Sequence, residues 1–215
     1  MPAPLHYIKR PSTQKENAPL LIMCHGYGSD ENDLFSFAAE LPEELFIISV
    51  RAPYQLQPYG NAWYAINFDA EQGKWSDDEQ AISSRDVLAE FIDYACTTYS
   101  VNSDNVTLLG FSQGTILSYS VALTYPEKVK NITALSGYIN SNIIPQKLEK
   151  ENYKHLDFYC SHGSVDQVIP VDWARKSKPF LDSLNIANTY SEFSVGHGVA
   201  PQNFYEFKTW LEKRI

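Results

Sequence analysis

The chain has 215 residues, of which 44% are hydrophobic and 20% charged, with only 10 Gly and 12 Pro. That size and composition exclude disorder, collagen-like repeats and coiled coil, and leave room for a single domain over residues 1–215. With 26 Asp and Glu against 17 Lys and Arg, the net charge is −9, which repels nucleic-acid phosphate and anionic lipid, so neither nucleic-acid binding nor stable membrane insertion is expected.

The three cysteines, Cys24, Cys96 and Cys160, form no CxxC pair and suggest neither a disulfide framework nor a thiolate zinc site. Residues 1–15, with Pro2, Pro4, Lys9, Arg10 and Pro11, offer no apolar stretch resembling a secretory signal, and no run approaches the roughly 18 apolar residues of a membrane span. A reduced, cytoplasmic protein is the expectation.

Short apolar runs alternate with stretches of helical spacing, which predicts an α/β fold with a mostly parallel sheet and helices on both faces. Residues 20–24 form the first predicted strand. The loop Cys24-His25-Gly26-Tyr27-Gly28 follows it, then a helix capped by Ser29 or Asp30 with Glu31 and Asp33 in its first turn. A dinucleotide fingerprint would need a glycine where Glu31 stands, and nothing nearby completes a metal site around these acids.

Residues 45–50 form the second strand. The irregular stretch 52–75 holds Tyr54, Tyr59, Trp63, Tyr64, Phe68 and Trp75 among Pro, Gly and Asn. Such a loop either covers a ligand site or packs its rings down onto the surface. Ser76-Asp77-Asp78-Glu79 reads as a capping box opening a helix, with Ile82, Leu88, Phe91, Ile92 and Ala95 on one face. Strands at 106–111, 132–135, 156–160 and 189–193 follow. Trp173, Ser177, Phe180, Leu181 and Leu184 trace one later helix, and Ala200, Phe204, Phe207 and Leu211 the terminal one; these stripes read as core.

Gly110-Phe111-Ser112-Gln113-Gly114 matches G-x-S-x-G between a predicted strand and a predicted helix at 115–123. That context lifts a serine hydroxyl above the sheet edge on a strained turn, whereas an ordinary strand-to-helix connection is the bland alternative. A serine needs a histidine base and an orienting carboxylate, in the chain order Ser, acid, His. His155 has no Asp between it and Ser112. His162 would need Asp157, at the far end of the same strand. Asp166 and His197 instead fall in loops at the carboxyl edge of the sheet, where ligands bind. The expected triad is therefore Ser112, Asp166 and His197, with His162 a structural hydrogen-bonding residue. The backbone N–H groups of Gln113 and Tyr27 are the expected oxyanion donors, and His25 a loop anchor. Tyr27, Trp63, Tyr64 and Val168 are expected to line an apolar acyl slot.

Together these residues resemble the small carboxylesterases, lysophospholipases and acyl-protein thioesterases of the α/β-hydrolase superfamily. His25-Gly26-Tyr27-Gly28 is similar to that family's oxyanion loop, Arg51-Ala52-Pro53 to the motif opening its substrate loop, and Gly110–Gly114 to its nucleophile elbow. His162-Gly163 with Asp166-Gln167-Val168-Ile169-Pro170 resembles the acid loop, and Gly196-His197 the base loop. The resemblance implies hydrolysis of small-molecule esters, thioesters or lysophospholipids without metal or organic cofactor. Thr115, where a further glycine is common, and Gln202, where an acid is usual, depart from the pattern and bear on substrate. A non-catalytic ligand-binding member and a cofactor-free perhydrolase are the alternative readings, and the residues specify neither a monomer nor a homodimer.

Overall fold

Leu20 and Leu21 are both excluded from solvent because consecutive side chains of one strand enter opposite cores of the same sheet. In the computed structural model, residues 2–69 and 73–215 are described, with 68, 69 and 73–75 described by backbone alone. Phe68 and Trp75, two rings of the expected aromatic loop, lie outside the described side chains.

The strands are β1 (Tyr7–Arg10), β2 (Ala18–Cys24), β3 (Phe46–Val50), β4 (Tyr54–Gln55), β5 (Asn61–Ala62), β6 (Ile66–Asp69), β7 (Gly73–Ser76), β8 (Val101–Phe111), β9 (Asn131–Leu135), β10 (Asp157–Gly163) and β11 (Ala187–Phe193). The helices are α1 (Asn32–Phe35), α2 (Asp78–Thr98), α3 (Gln113–Thr124), α4 (Val171–Arg175), α5 (Ser177–Ser183) and α6 (Pro201–Glu212). The main sheet runs β1-β3-β2-β8-β9-β10-β11. All of its neighbours are parallel except β1, which is antiparallel to β3. The carboxyl ends of β2, β8, β9, β10 and β11 therefore share one edge, and their loops meet there.

The central strands read as continuous apolar runs because both faces are covered. Leu20, Ile22, Leu108, Ile132 and Phe158 belong to one core with Leu88, Phe91 and Ile92 of α2 and Leu117 and Val121 of α3. Leu21, Met23, Leu109, Leu135 and Tyr159 belong to the other, with Phe204, Phe207, Trp210 and Leu211 of α6. Every residue from Gln113 to Leu123 is buried, so α3 is enclosed on all sides rather than packed along a single apolar stripe.

Four local expectations are corrected. Ser76 does not cap α2: it still pairs with Ile66 in a two-stranded ribbon, and the cap is Asp77, whose carboxylate accepts the Gln80 N–H at 3.0 Å. Neither Ser29 nor Asp30 occupies the cap of the one-turn α1; Glu31 does, without a capping bond, because its carboxylate is turned toward Arg51. The stretch 171–184 is two helices, since Pro179 cannot donate to the carbonyl four residues back, at Arg175, where α4 ends. β1 was not anticipated; its register with β3 is a pairing between distant segments that Tyr7–Arg10 does not announce locally.

Candidate functional site

The elbow is built by close approach. Ser112 joins β8 to α3 with φ +54°, a conformation costing a non-glycine residue about 1–3 kcal/mol. Its N–H donates to the Leu135 carbonyl at 2.9 Å and its own carbonyl accepts from Ile116 N–H at 3.1 Å. A Cβ on Gly114 would fall 2.0 Å from the Cys24 carbonyl oxygen, so only glycine lets the first turn of α3 rest on the end of β2.

Ser112 Oγ lies 2.9 Å from His197 Nε2, and His197 Nδ1 lies 2.7 Å from Asp166 Oδ2. With Nδ1–H donating to the carboxylate, Nε2 holds a lone pair toward the serine hydroxyl. The ring of Phe111 stands 5.0 Å from that of His197. A Cβ on Gly163 would meet the Gly196 carbonyl oxygen at 2.2 Å, so the end of β10 is a glycine where the loop carrying His197 crosses it.

Asp166 is held in turn. Its Oδ1 accepts the N–H groups of Val168 and Ile169 at 2.8 and 3.0 Å, and His162 Nε2, 3.3 Å from Asp166 Oδ2, donates to the Ile169 carbonyl at 2.9 Å. Burial pushes the Asp166 carboxyl up, but the hydrogen bonds from His197 and from the Ile169 and Val168 amides outweigh it and hold the group below the usual carboxylate range.

The loop after β2 flanks the serine: a Cβ on Gly26 would be 3.4 Å from that of Ser112. The amides of Tyr27 and Gln113 donate to no other group among the described residues. His25 Nε2 accepts the Ala52 N–H at 3.0 Å, which leaves Nδ1–H to donate to the Gly26 carbonyl at 2.7 Å. Burial holds the His25 pKa below its ordinary value and keeps the ring neutral.

Trp63 and Tyr64 line no open slot; at 0% and 2% exposure they are core residues. Trp63 Nε1–H donates to the His25 carbonyl at 2.9 Å, and the Gln113 carboxamide accepts the Trp63 N–H and donates to the Tyr64 carbonyl, both at 2.8 Å. Of the expected slot residues, Tyr27 and Val168 alone are solvent-facing, at 45% and 53%. The acids near the loop are engaged elsewhere: Asp30 accepts the Asn32 N–H, Asp33 the Ser29 hydroxyl, and Glu31 a two-point pair from Arg51. His155 is bonded to the Pro126 carbonyl and Asp157 to Arg214, both away from Ser112. The Gln113 side chain and the Glu31–Arg51 pair are the anchoring groups that sequence reading missed. In the sequence Arg51 belongs to a motif similar to one that opens a substrate loop, and the place of Gln113 after Ser112 points only to its backbone amide.

A mostly parallel sheet with a strained serine elbow on its central strand, and acid and histidine on loops after two later strands, defines an α/β-hydrolase. The chain belongs to the phospholipase/carboxylesterase family, whose model matches residues 7–215. It is similar to acyl-protein thioesterase 1 of Saccharomyces cerevisiae, 31% identical over 121 residues, covering 54% of this chain and 52% of that protein. It is also similar to acyl-protein thioesterase 1 of Kluyveromyces lactis, 24% identical over 228 residues and covering 99% of both, and to a probable carboxylesterase, SOBER1-like, of Arabidopsis thaliana, 26% identical over 54% of this chain and 44% of that one. The match thus spans about half the length of the Saccharomyces cerevisiae and Arabidopsis relatives. Among solved structures, esterase PE8 superposes with TM-score 0.82 at 24% identity over 98% and 99% of the two chains. A Bacillus cereus carboxylesterase does so with 0.81 at 19% over 98% and 95%. These show the fold.

Proposed function

We propose that the chain hydrolyses carboxylic esters or thioesters by way of an acyl-enzyme. Ser112 Oγ attacks the acyl carbonyl while His197 Nε2 takes its proton; the same proton passes to the leaving alcohol or thiol as the tetrahedral adduct collapses. Water then repeats the sequence, giving its proton to His197 and its oxygen to the acyl carbon, and Ser112 recovers its hydrogen. Asp166 fixes the imidazole tautomer and stabilises its cation, and the Tyr27 and Gln113 amides receive the oxyanion.

The observation that carries this reading is the continuous relay of 2.9 and 2.7 Å from Ser112 through His197 to Asp166, mounted on the positive-φ elbow. Exposed Tyr27, Val165 and Val168 in the loops bearing the oxyanion amide and the acid support an apolar acyl or alkyl group. The relatives' names support esters and thioesters, and three unpaired cysteines fit a reducing cytoplasm.

An ester and thioester panel tests this. Ser112→Ala should fold normally and lose at least about 10⁴-fold in kcat, and a fluorophosphonate should label the native protein at Ser112 alone. Undiminished hydrolysis by Ser112→Ala overturns the proposal.

A further inference from the structure

The two amides assigned to the oxyanion come from separate pieces of chain, the loop after β2 and the first turn of α3, so something must set their spacing. Trp63 and Gln113 join these pieces. The Gln113 carboxamide grips the backbone of residues 63 and 64 at two points, each 2.8 Å. Trp63 then reaches across to the His25 carbonyl with its indole N–H at 2.9 Å, one residue before Gly26. The far side of Trp63 is fixed by Ser84, whose hydroxyl donates to the Trp63 carbonyl. The side chains of Ser84, Trp63, Gln113 and His25 are all buried.

We infer that Trp63 and Gln113 are positioning residues, a buried clamp that holds the Tyr27 and Gln113 amides at the separation an oxyanion requires. The inference rests on the serine-hydrolase reading and deepens it. Donors serve a transition state only within about 2.7–3.1 Å of the oxyanion, and a shift of about 1 Å can cost roughly 100-fold. Gln113 is coupled most directly, since its side chain anchors the residue whose amide is the donor. Trp63 acts through His25, whose ring is itself fixed between Ala52 and Gly26. A residue contacting substrate would alter KM and chain-length preference; a clamp on the donors alters kcat and leaves KM in place.

The test uses Trp63→Phe, which removes the indole N–H together with part of the ring volume, Gln113→Met, which removes both carboxamide bonds, and Ser84→Ala, the mildest change and the one furthest along the clamp from Ser112. Three quantities are measured for each: kcat and KM on a short aryl ester, inhibition by an alkyl trifluoromethyl ketone that the serine converts to a hemiketal oxyanion, and the labelled fraction with fluorophosphonate. The expected result is a kcat per labelled site lower by about 10- to 100-fold for Trp63→Phe and Gln113→Met. KM should stay within twofold and ketone affinity should weaken in parallel with kcat; Ser84→Ala should show the same pattern at smaller amplitude. If a more severe variant does not fold, Ser84→Ala decides alone. If wild type is active and labelled but the folded variants keep its kcat, change KM instead, or lose kcat without losing ketone affinity, the clamp is overturned and the hydrolase reading stands. A wild-type protein inert to esters, thioesters and the fluorophosphonate overturns the hydrolase reading itself.

Discussion

Thr115 and Gly137 share one volume beneath the elbow. A Cβ on Gly137 would fall 2.4 Å from the Thr115 methyl, while the Thr115 hydroxyl lies 2.6 Å from the carbonyls of both Gly110 and Leu135. The Leu135 carbonyl also accepts the Ser112 N–H, so Thr115 ties β8 and β9 together directly under Ser112. Gly137→Ala should destabilise the protein by about 1–3 kcal/mol through overpacking. Adding Thr115→Ser, which removes the methyl and keeps the hydroxyl, should restore part of that loss. Urea unfolding of the two single variants and the double variant checks it, and strictly additive effects would contradict the shared volume.

A second prediction concerns acid. The folded Asp166 pKa is depressed, so its stabilising contribution is complete above the ordinary carboxylate value near 3.8 and is lost as pH falls through the lower folded value. Asp166→Asn should therefore be less stable than wild type at pH 7, and the gap should narrow below about pH 4. Turnover at pH 7 should drop about 10⁴-fold. A stability difference independent of pH would contradict the assigned bonds.

His25 predicts a loss of stability at higher pH than Asp166 does. Burial lowers its pKa despite opposing influence from the Gly26 carbonyl and from Asp33, Asp30 and Glu31. The folded state therefore favours the neutral ring, whose contribution is complete above about pH 6.5 and declines as pH falls below it. His25→Gln should flatten the stability profile between about pH 6.5 and 5. NMR titration of the His25 ring gives the direct reading: an unshifted or raised value refutes it.

The cysteines should differ in reactivity. Cys24 and Cys160 are buried, and burial pushes both thiols up to about 12, leaving almost no thiolate at neutral pH. Cys96 is only partly buried, with a smaller upward shift from the same cause. Iodoacetamide at pH 8 should modify the native protein at Cys96 alone and slowly, whereas urea should expose all three. Mass spectrometry of peptides locates the adducts, and rapid native modification at Cys24 would contradict the packing of β2 against α3.

The serine elbow, the chain order of the acid and histidine that follow it and most central strands are legible in the amino-acid sequence because they depend on local signals. A continuous apolar run marks a strand covered on both faces, and glycines on either side of Ser112 mark a turn where a Cβ has no room. The order Ser112, Asp166, His197 followed from which acids and histidines fall in loops after strands. The sequence does not place Trp63 and Tyr64, because an aromatic residue in an irregular segment has the same local appearance whether it lies over a ligand or under a helix. Both side chains belong to the core, and their backbone is held by Gln113, some 50 residues later.

What the sequence by itself determined is the set of chemical groups and the edge of the sheet to which each belongs, since both depend on residue identity and short-range periodicity. Only the tertiary structure decided which groups meet: Glu31 with Arg51 rather than at a helix cap, β1 against β3, Thr115 against Gly137, and Trp63 against His25. Those are pairings between distant segments, and their partners are selected by packing and by the need to satisfy buried polar atoms, conditions that exist only once the chain has folded.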